Sequence, residues 1–497
     1  MIIDGRTLSV ADLRAAAVRP AGVSLSDDAL ARAAASHEFA RLAGVRRPIY
    51  GRSTGVGANR TVSIADDPGA LRQAALGLLR SHATSAGELR APERVRAMLL
   101  VRLNQLAAAG SGADPRLLEV LADLINADAL PPIRELGGIG TGDLSALATT
   151  ALAIEGEVPT LGPGGQPGGY PAGYPARPAF RFGLGDALPF LSSNAATLAD
   201  AALGLDGLQR LAEAVVVVAA LSFSAVDGND EAFAGAVEQV TPFEGARWVC
   251  RSVRAMVDPV PAARIQDPFG LRTLPQVHGA FIDALAALER TVLALMNTSS
   301  ENPVLSPELG VAHHGGFHAA YLAQALDAVA LAAAQSAQLS LARLTMLDEP
   351  ALTGLAPFLG DGTPGASGTM IVEYVSASAL AALRALAVPA SLQTVTLSRG
   401  VEEDASFASL AARQVLDSVA LFRTVLAGEL VAAVRCIRLR GLTPSVLGPV
   451  LDAAAELGGE AADRDLTGDL DVAGRLVDAL PGLLAQIMSS SGRSSSA

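Results

Sequence analysis

The 497-residue chain has no lysine, so every basic side chain apart from histidine is an arginine. That absence excludes pyridoxal-phosphate chemistry, which needs a lysine Schiff base, and the lysine-bearing phosphate loop of P-loop nucleotide binders. Positive charge is scarce altogether: 37 arginines face 50 acids, for a net charge of -13. A nucleic-acid or anionic-membrane partner would need a basic face, and neither is expected. Cysteine is nearly absent, with only Cys250 and Cys436, and the opening "MIIDGRTLSV" carries no secretion signal. A reducing cytoplasm is therefore expected. Long apolar runs are also few. The strongest, 214–226, lies between Glu213 and Asp227 and reads as a buried helix too short to span a bilayer.

What is present is small, apolar and helix-forming. Half of the residues are hydrophobic while only 4% are aromatic, and alanine and leucine dominate. Phe281, Leu285, Leu288, Val292 and Leu295 recur at steps of four and three, a core-facing helical stripe. Similar patterns run through 321–347, 370–387 and 406–438. The expected fold is mainly α: a long antiparallel helix bundle with a smaller, loop-rich N-terminal part that carries the active-site loops. Four segments are expected: an N-terminal region at 1–157, a Gly/Pro-rich loop at 158–187, a helical bundle at 188–488 and a disordered tail at 489–497.

One stretch of the N-terminal region, "GGIGTGDLSALA" at 137–148, crowds four glycines around Thr141 ahead of a helical run. The spacing does not fit a nucleotide cradle. Two readings remain: Thr141 caps a helix starting near Asp143, or the glycines let the backbone fold back on itself. Other polar residues gather in a few loops. These are "YGRSTGVG" from Tyr50, "RSHATSAG" around His82, "SSNAAT" with Asn194, "QDPFGLRTLPQVHG" from Gln266 to Gly279, "SSENPV" with Asn302, "GGFH" with Phe317, and "VEEDASF" with Glu403. Loops between rigid helices are common places for catalytic groups.

Taken in order, these segments resemble the aromatic amino acid ammonia-lyase and aminomutase family, which includes histidine ammonia-lyase. The resemblance implies an all-α homotetramer whose active sites draw loops from three subunits. It also implies a prosthetic group made from the backbone. In the family an Ala-Ser-Gly tripeptide cyclises to methylidene-imidazolone, with the glycine nitrogen attacking the carbonyl before the serine and two waters leaving. Here the tripeptide is Gly140-Thr141-Gly142, in a segment one residue shorter. Threonine would give an alkene bearing an extra methyl group, so a methylated ring, no ring with other chemistry, or an inactive site all stay open.

By the same resemblance Tyr50 removes the substrate's β-proton, which requires a lowered phenol pKa, and Arg272 grips the carboxylate. Gln266, Asn194 and Asn302 orient the ring or substrate, and Asn194 with the Gly142 amide would stabilise the ring anion. His82 and Glu403 touch the substrate side chain or amino group, and Phe317 forms an aromatic wall. Phe269 stands where many members have tyrosine, and Ala405 where histidine is common. The cluster His313, His314 and His318 has glycines between its members and no cysteine near, so no metal is expected.

The expected function is a carbon-nitrogen lyase that eliminates ammonia from an aromatic or imidazole α-amino acid. The alternatives are a ring-free family member that catalyses conjugate addition or cyclisation in a biosynthetic pathway, or an inactive homologue.

Overall fold

The computed structural model describes residues 1–18, 22–162, 180–308 and 310–494. The described residues are mainly helical, with three two-stranded sheets. Ile2–Ile3 pairs in parallel with Ser24–Leu25, while Ala86–Leu89 with Arg134–Leu136 and Val304–Ser306 with Gly310–Ala312 are antiparallel. The chain divides into two units, one of residues 1–206, 289–326 and 389–413, the other of 207–288, 327–388 and 414–497.

The first unit is built around the helix Pro92–Ala107, buried without a break from Val95 onward. A helix apolar all round belongs in a core, yet this one brings Arg96, Arg102, Asn104 and Gln105 with it. Each is satisfied. Arg102, fully buried, donates to Glu301 at 2.7 Å and to the carbonyls of Pro189 and Phe190. That fixes the segment leading into Asn302. Arg90 and Arg94 meet Asp200 at 2.9 and 2.8 Å, and Arg94 also binds Glu135, just ahead of the glycine cluster. Desolvated pairs of this kind persist only because every charge has a partner.

In the second unit the fully buried Glu429 receives Ser222, Ser340 and both arms of the Arg343 guanidinium. Arg343 also donates to the Gly270 carbonyl at 3.0 Å, holding the loop that carries Gln266 and Arg272. His278 lies wholly buried with Nε2 2.9 Å from the Ala212 carbonyl. A carbonyl only accepts, so Nε2 carries the hydrogen and Nδ1 accepts from Ser336 at 2.7 Å. Burial pushes its pKa down to about 4, and the ring is neutral.

The helical patterns appear as Leu274–Met296, Ala320–Leu347, Met370–Leu386 and Ala408–Leu439. Within the stripe, Phe281, Leu285, Leu288 and Val292 are buried and Leu295 is half-buried. Three expectations need correction. The apolar run 214–226 is the end of a longer helix, Ala195–Ala225, in which apolar residues continue toward the N-terminus around Asp200 and Asp206. By length and composition alone three segments could cross a bilayer: Leu184–Ala225, Ala320–Leu347 and Met370–Leu392. In the first, 78% of the most apolar window is buried inside the protein.

The expected Gly/Pro-rich loop at 158–187 falls outside the described residues over 163–179, and its end is already helix, Leu184–Leu191. Asp186 accepts the Gly183 amide there, capping the first turn. The tail expected from 489 is helical to the end of Thr467–Ser494, because extending an existing helix adds a bond for each residue fixed. Residues 495–497 lie outside the described residues.

Candidate active site

A cavity of about 720 Å³ opens in the first unit, and its walls include Tyr50, His82, Thr141, Asn302, Phe317 and Glu403. Six positions separated by up to hundreds of residues in sequence thus face one space. Glu402, Asp404 and His318 complete a polar side, with His318 Nε2 3.4 Å from Asp404.

Thr141 sits between two glycines in left-handed backbone, Gly140 at φ +83° and Gly142 at φ +111°. Side chains rarely adopt such angles. The Gly142 amide donates to Asn194 Oδ1 at 3.0 Å, and Asn194 Nδ2 donates to the Phe317 carbonyl at 2.5 Å. One amide therefore joins the glycine loop to the aromatic wall. The Thr141 hydroxyl has no hydrogen-bond partner among the described residues. It does not cap the following helix. That helix is Leu144–Ile154, and Asp143 holds the cap position. The Asp143 carboxylate, fully buried, accepts from the Thr197 amide at 2.8 Å and the Thr197 hydroxyl at 2.9 Å. Burial raises its pKa despite those donors.

Tyr50 follows the buried Ile49 and turns at Gly51, where a side chain would strike Leu188. Its phenol oxygen accepts the Gly57 amide at 2.8 Å. The sequence called for a lowered phenol pKa, whereas the structure raises it. Desolvation dominates, and the Glu402 charge adds to it against the Gly57 amide and Arg60. The Gly57 amide, first in the short helix Gly57–Asn59, does point at the phenol, but it does not outweigh the desolvation.

His82 ends the helix Pro68–His82. Its Nδ1 lies 2.9 Å from the Leu78 carbonyl and donates to it, which leaves Nε2 as the other ring nitrogen. Asn302 is fixed at both ends, its amide donating to Ser192 at 3.1 Å and its Oδ1 accepting from the His314 amide at 2.9 Å. The Tyr50 amide donates to His313 Nε2 at 3.2 Å, and His313 is held below its ordinary pKa by burial. His314 Nε2 lies 2.8 Å from the Glu301 carbonyl, whereas His318 Nε2 makes no hydrogen bond among the described residues and faces Asp404 at 3.4 Å. Among the described residues no three metal-ligating side chains converge.

Gln266 and Arg272 are not brought to this cavity. They belong to the second unit, where Arg272 donates to Gln266 at 2.6 Å and lies 4.7 Å over the Phe269 ring. Phe269, in the place of the common tyrosine, is 64% exposed. Sequence reasoning missed two groups: Ser406 and Ser409, which bond the glycine loop, and Glu402 beside Tyr50. "VEEDASF" held Glu402 and Ser406 in plain view, but only the fold carries them to their partners.

Comparison with known proteins identifies the family. A family model described as "Aromatic amino acid lyase" matches residues 8–457. Histidine ammonia-lyase of Streptomyces coelicolor is 32% identical over 499 residues, covering 96% of each chain. Among solved structures, histidine ammonia-lyase from Trypanosoma cruzi superposes with a TM-score of 0.89 at 25% identity, over 98% of this chain and 95% of that one. Ergothionase from Treponema denticola, an ergothioneine-degrading enzyme, gives 0.87 at 25% identity, over 97% and 99%.

Proposed function

Because the chain belongs to the aromatic amino acid lyase family and is a carbon-nitrogen lyase, we propose that it eliminates ammonia from an imidazole or aromatic α-amino acid. The observation that carries this reading is the placement of Thr141, between two left-handed glycines, in the same cavity as Tyr50, His82, Phe317 and Glu403.

The tripeptide fits a backbone-derived ring. Gly140 and Gly142 have the left-handed backbone that a fold-back of the chain calls for, and the Thr141 hydroxyl makes no hydrogen bond among the described residues that would tie it down. When present, such a ring supplies an electrophile to the substrate's amine or side chain. The chain's own residues do the rest. Tyr50 takes the β-proton, and the Gly57 amide stabilises the phenolate that must do so. Phe317 provides an apolar wall, and Glu403 is the charge partner for an imidazole. His82 contacts the substrate's polar groups.

The carboxylate clamp comes from a second copy of the chain in this proposal. Arg272 offers a planar fork suited to two oxygens, and the loop around it carries Ile265, 90% exposed, and Phe269. Apolar side chains beside a substrate-binding arginine suit a face covered by another subunit, and a homotetramer with shared sites is the assembly proposed. Both cysteines are buried and free, which suits a reducing cytoplasm.

Intact-mass measurement of the purified protein, with peptide mapping of residues 137–147, is the direct test. Loss of two waters confined to Gly140-Thr141-Gly142, with ammonia released from histidine, phenylalanine or tyrosine, is the expected result. An unmodified mass rules out elimination through a backbone ring and turns attention to ring-free chemistry in the same cavity.

A further inference from the structure

Closing a ring at Gly140-Thr141-Gly142 requires the Gly142 nitrogen to add to the Gly140 carbonyl carbon. The Gly140 oxygen takes the protons of the Gly142 and Thr141 N–H groups and leaves as the first water. The hydroxyl and Cα hydrogen of Thr141 leave as the second. The balance needs no outside reactant, but negative charge develops on the Gly140 oxygen as the nitrogen adds.

Two donors already point at that oxygen. The Ser406 hydroxyl donates to it at 2.8 Å and the Ala319 amide at 3.1 Å. Both residues are 5% exposed, so water does not compete strongly with either. The neighbouring carbonyls are held from the same side, Ile139 by the Phe407 amide at 2.8 Å and Gly138 by the Ser409 hydroxyl at 2.8 Å. Three consecutive carbonyls of the glycine loop thus rest on the segment 406–409.

We propose that Ser406, with the Ala319 amide, forms an oxyanion-type cradle on the Gly140 carbonyl and is a catalytic donor for ring closure. Preorganised donors aimed at developing charge lower a barrier because they need no reorganisation when the charge appears. The same cradle accounts for glycine at position 140, where the family's tripeptide has alanine. A Cβ there would lie 2.2 Å from Ser406 Oγ, 2.6 Å from the Ala408 nitrogen and 2.9 Å from the Phe407 nitrogen. The hydroxyl takes the place that a methyl group would occupy.

This inference rests on the reading that the ring forms, and mass spectrometry separates the two. The full chain and Ser406→Ala are purified, and the extent of dehydration at 140–142 is followed after synthesis. The expected result is a wild type lighter by two waters and a variant that loses them roughly 10²–10³-fold more slowly. Equal dehydration in the two overturns the role of Ser406 and leaves the ring standing. An undehydrated wild type overturns both. Should Ser406→Ala not fold, Ser406→Thr and Ser406→Val share one shape and differ in the donor. Dehydration of the threonine variant alone supports the cradle, and equal extents in the pair overturn it.

Discussion

Gly57 donates its amide to the Tyr50 phenol oxygen at 2.8 Å, and a Glu402 carboxylate oxygen lies 3.3 Å from where a Gly57 side chain would begin. The Gly57 hydrogen bond that would stabilise a Tyr50 phenolate therefore sits beside a charge that opposes it. Charged and titratable groups around the phenol are Glu402, Arg60 and His313, with His82, Glu403 and Asp404 also on the cavity wall.

Burial and Glu402 both hold the phenol above the ordinary tyrosine value of 10.0. Turnover that needs the phenolate should rise with pH through the alkaline range. Glu402→Gln removes a negative charge, so the phenolate becomes easier to form and the rising limb of kcat/KM moves to lower pH. A profile unchanged in the variant, or shifted upward, contradicts this electrostatic account.

Removing the phenol outright is the sharper test of the role proposed for Tyr50. Tyr50→Phe should lower kcat by about 10²–10⁴ while the fold and any mass change at Thr141 stay as in the parent. Normal turnover in this variant would remove Tyr50 from the mechanism.

If the carboxylate clamp belongs to another copy, two inactive variants should help one another. Co-expressed Tyr50→Phe and Arg272→Ala chains would form mixed oligomers in which some sites contain both an intact tyrosine and an intact arginine. Activity well above that of either variant alone is expected. Its absence, in oligomers shown to contain both chains, would place clamp and base on one chain.

Asp348 gives a prediction about stability. It is buried, accepts from the Thr369 hydroxyl, and burial pushes its pKa from 3.8 up to about 7. The folded chain keeps this proton while the unfolded chain releases it, so stability falls as pH rises from about 4 to 7. Asp348→Asn keeps the acceptor and cannot ionise. Its melting temperature should exceed the parent's at pH 8, with the gap closing toward pH 4. An equal gap at both values would show that the carboxyl does not titrate in this window.

Local spacing carries some of this molecule and misses the rest for definite reasons. The helix containing Phe281, Leu285 and Leu288 is legible because a helix repeats its buried face every three or four residues. Tyr50, His82, Thr141 and Glu403 could be singled out because each sits in a short polar break in an apolar chain. Burial is another matter. The raised phenol pKa of Tyr50 arises from everything packed around it, which no local window contains. Ser406 and Gly140 are 266 residues apart, and nothing in either stretch announces the bond between them. Gln266 and Arg272 stand next to each other as their loop suggests, 2.6 Å apart, but nothing in that loop says that it stays away from the cavity of Tyr50.

Asn194 reads two opposite messages at once, an N–H from Gly142 on its oxygen and a carbonyl from Phe317 on its nitrogen. A planar amide is the one short side chain with an acceptor and a donor at fixed separation, so the position behaves like a keyed joint with a single orientation. Aspartate would turn a second acceptor toward the Phe317 carbonyl, serine has one atom for two tasks, and glutamine carries the same amide a carbon too far. Evolution at this point has no near synonyms to try, and a change of wall or loop must keep the key in place.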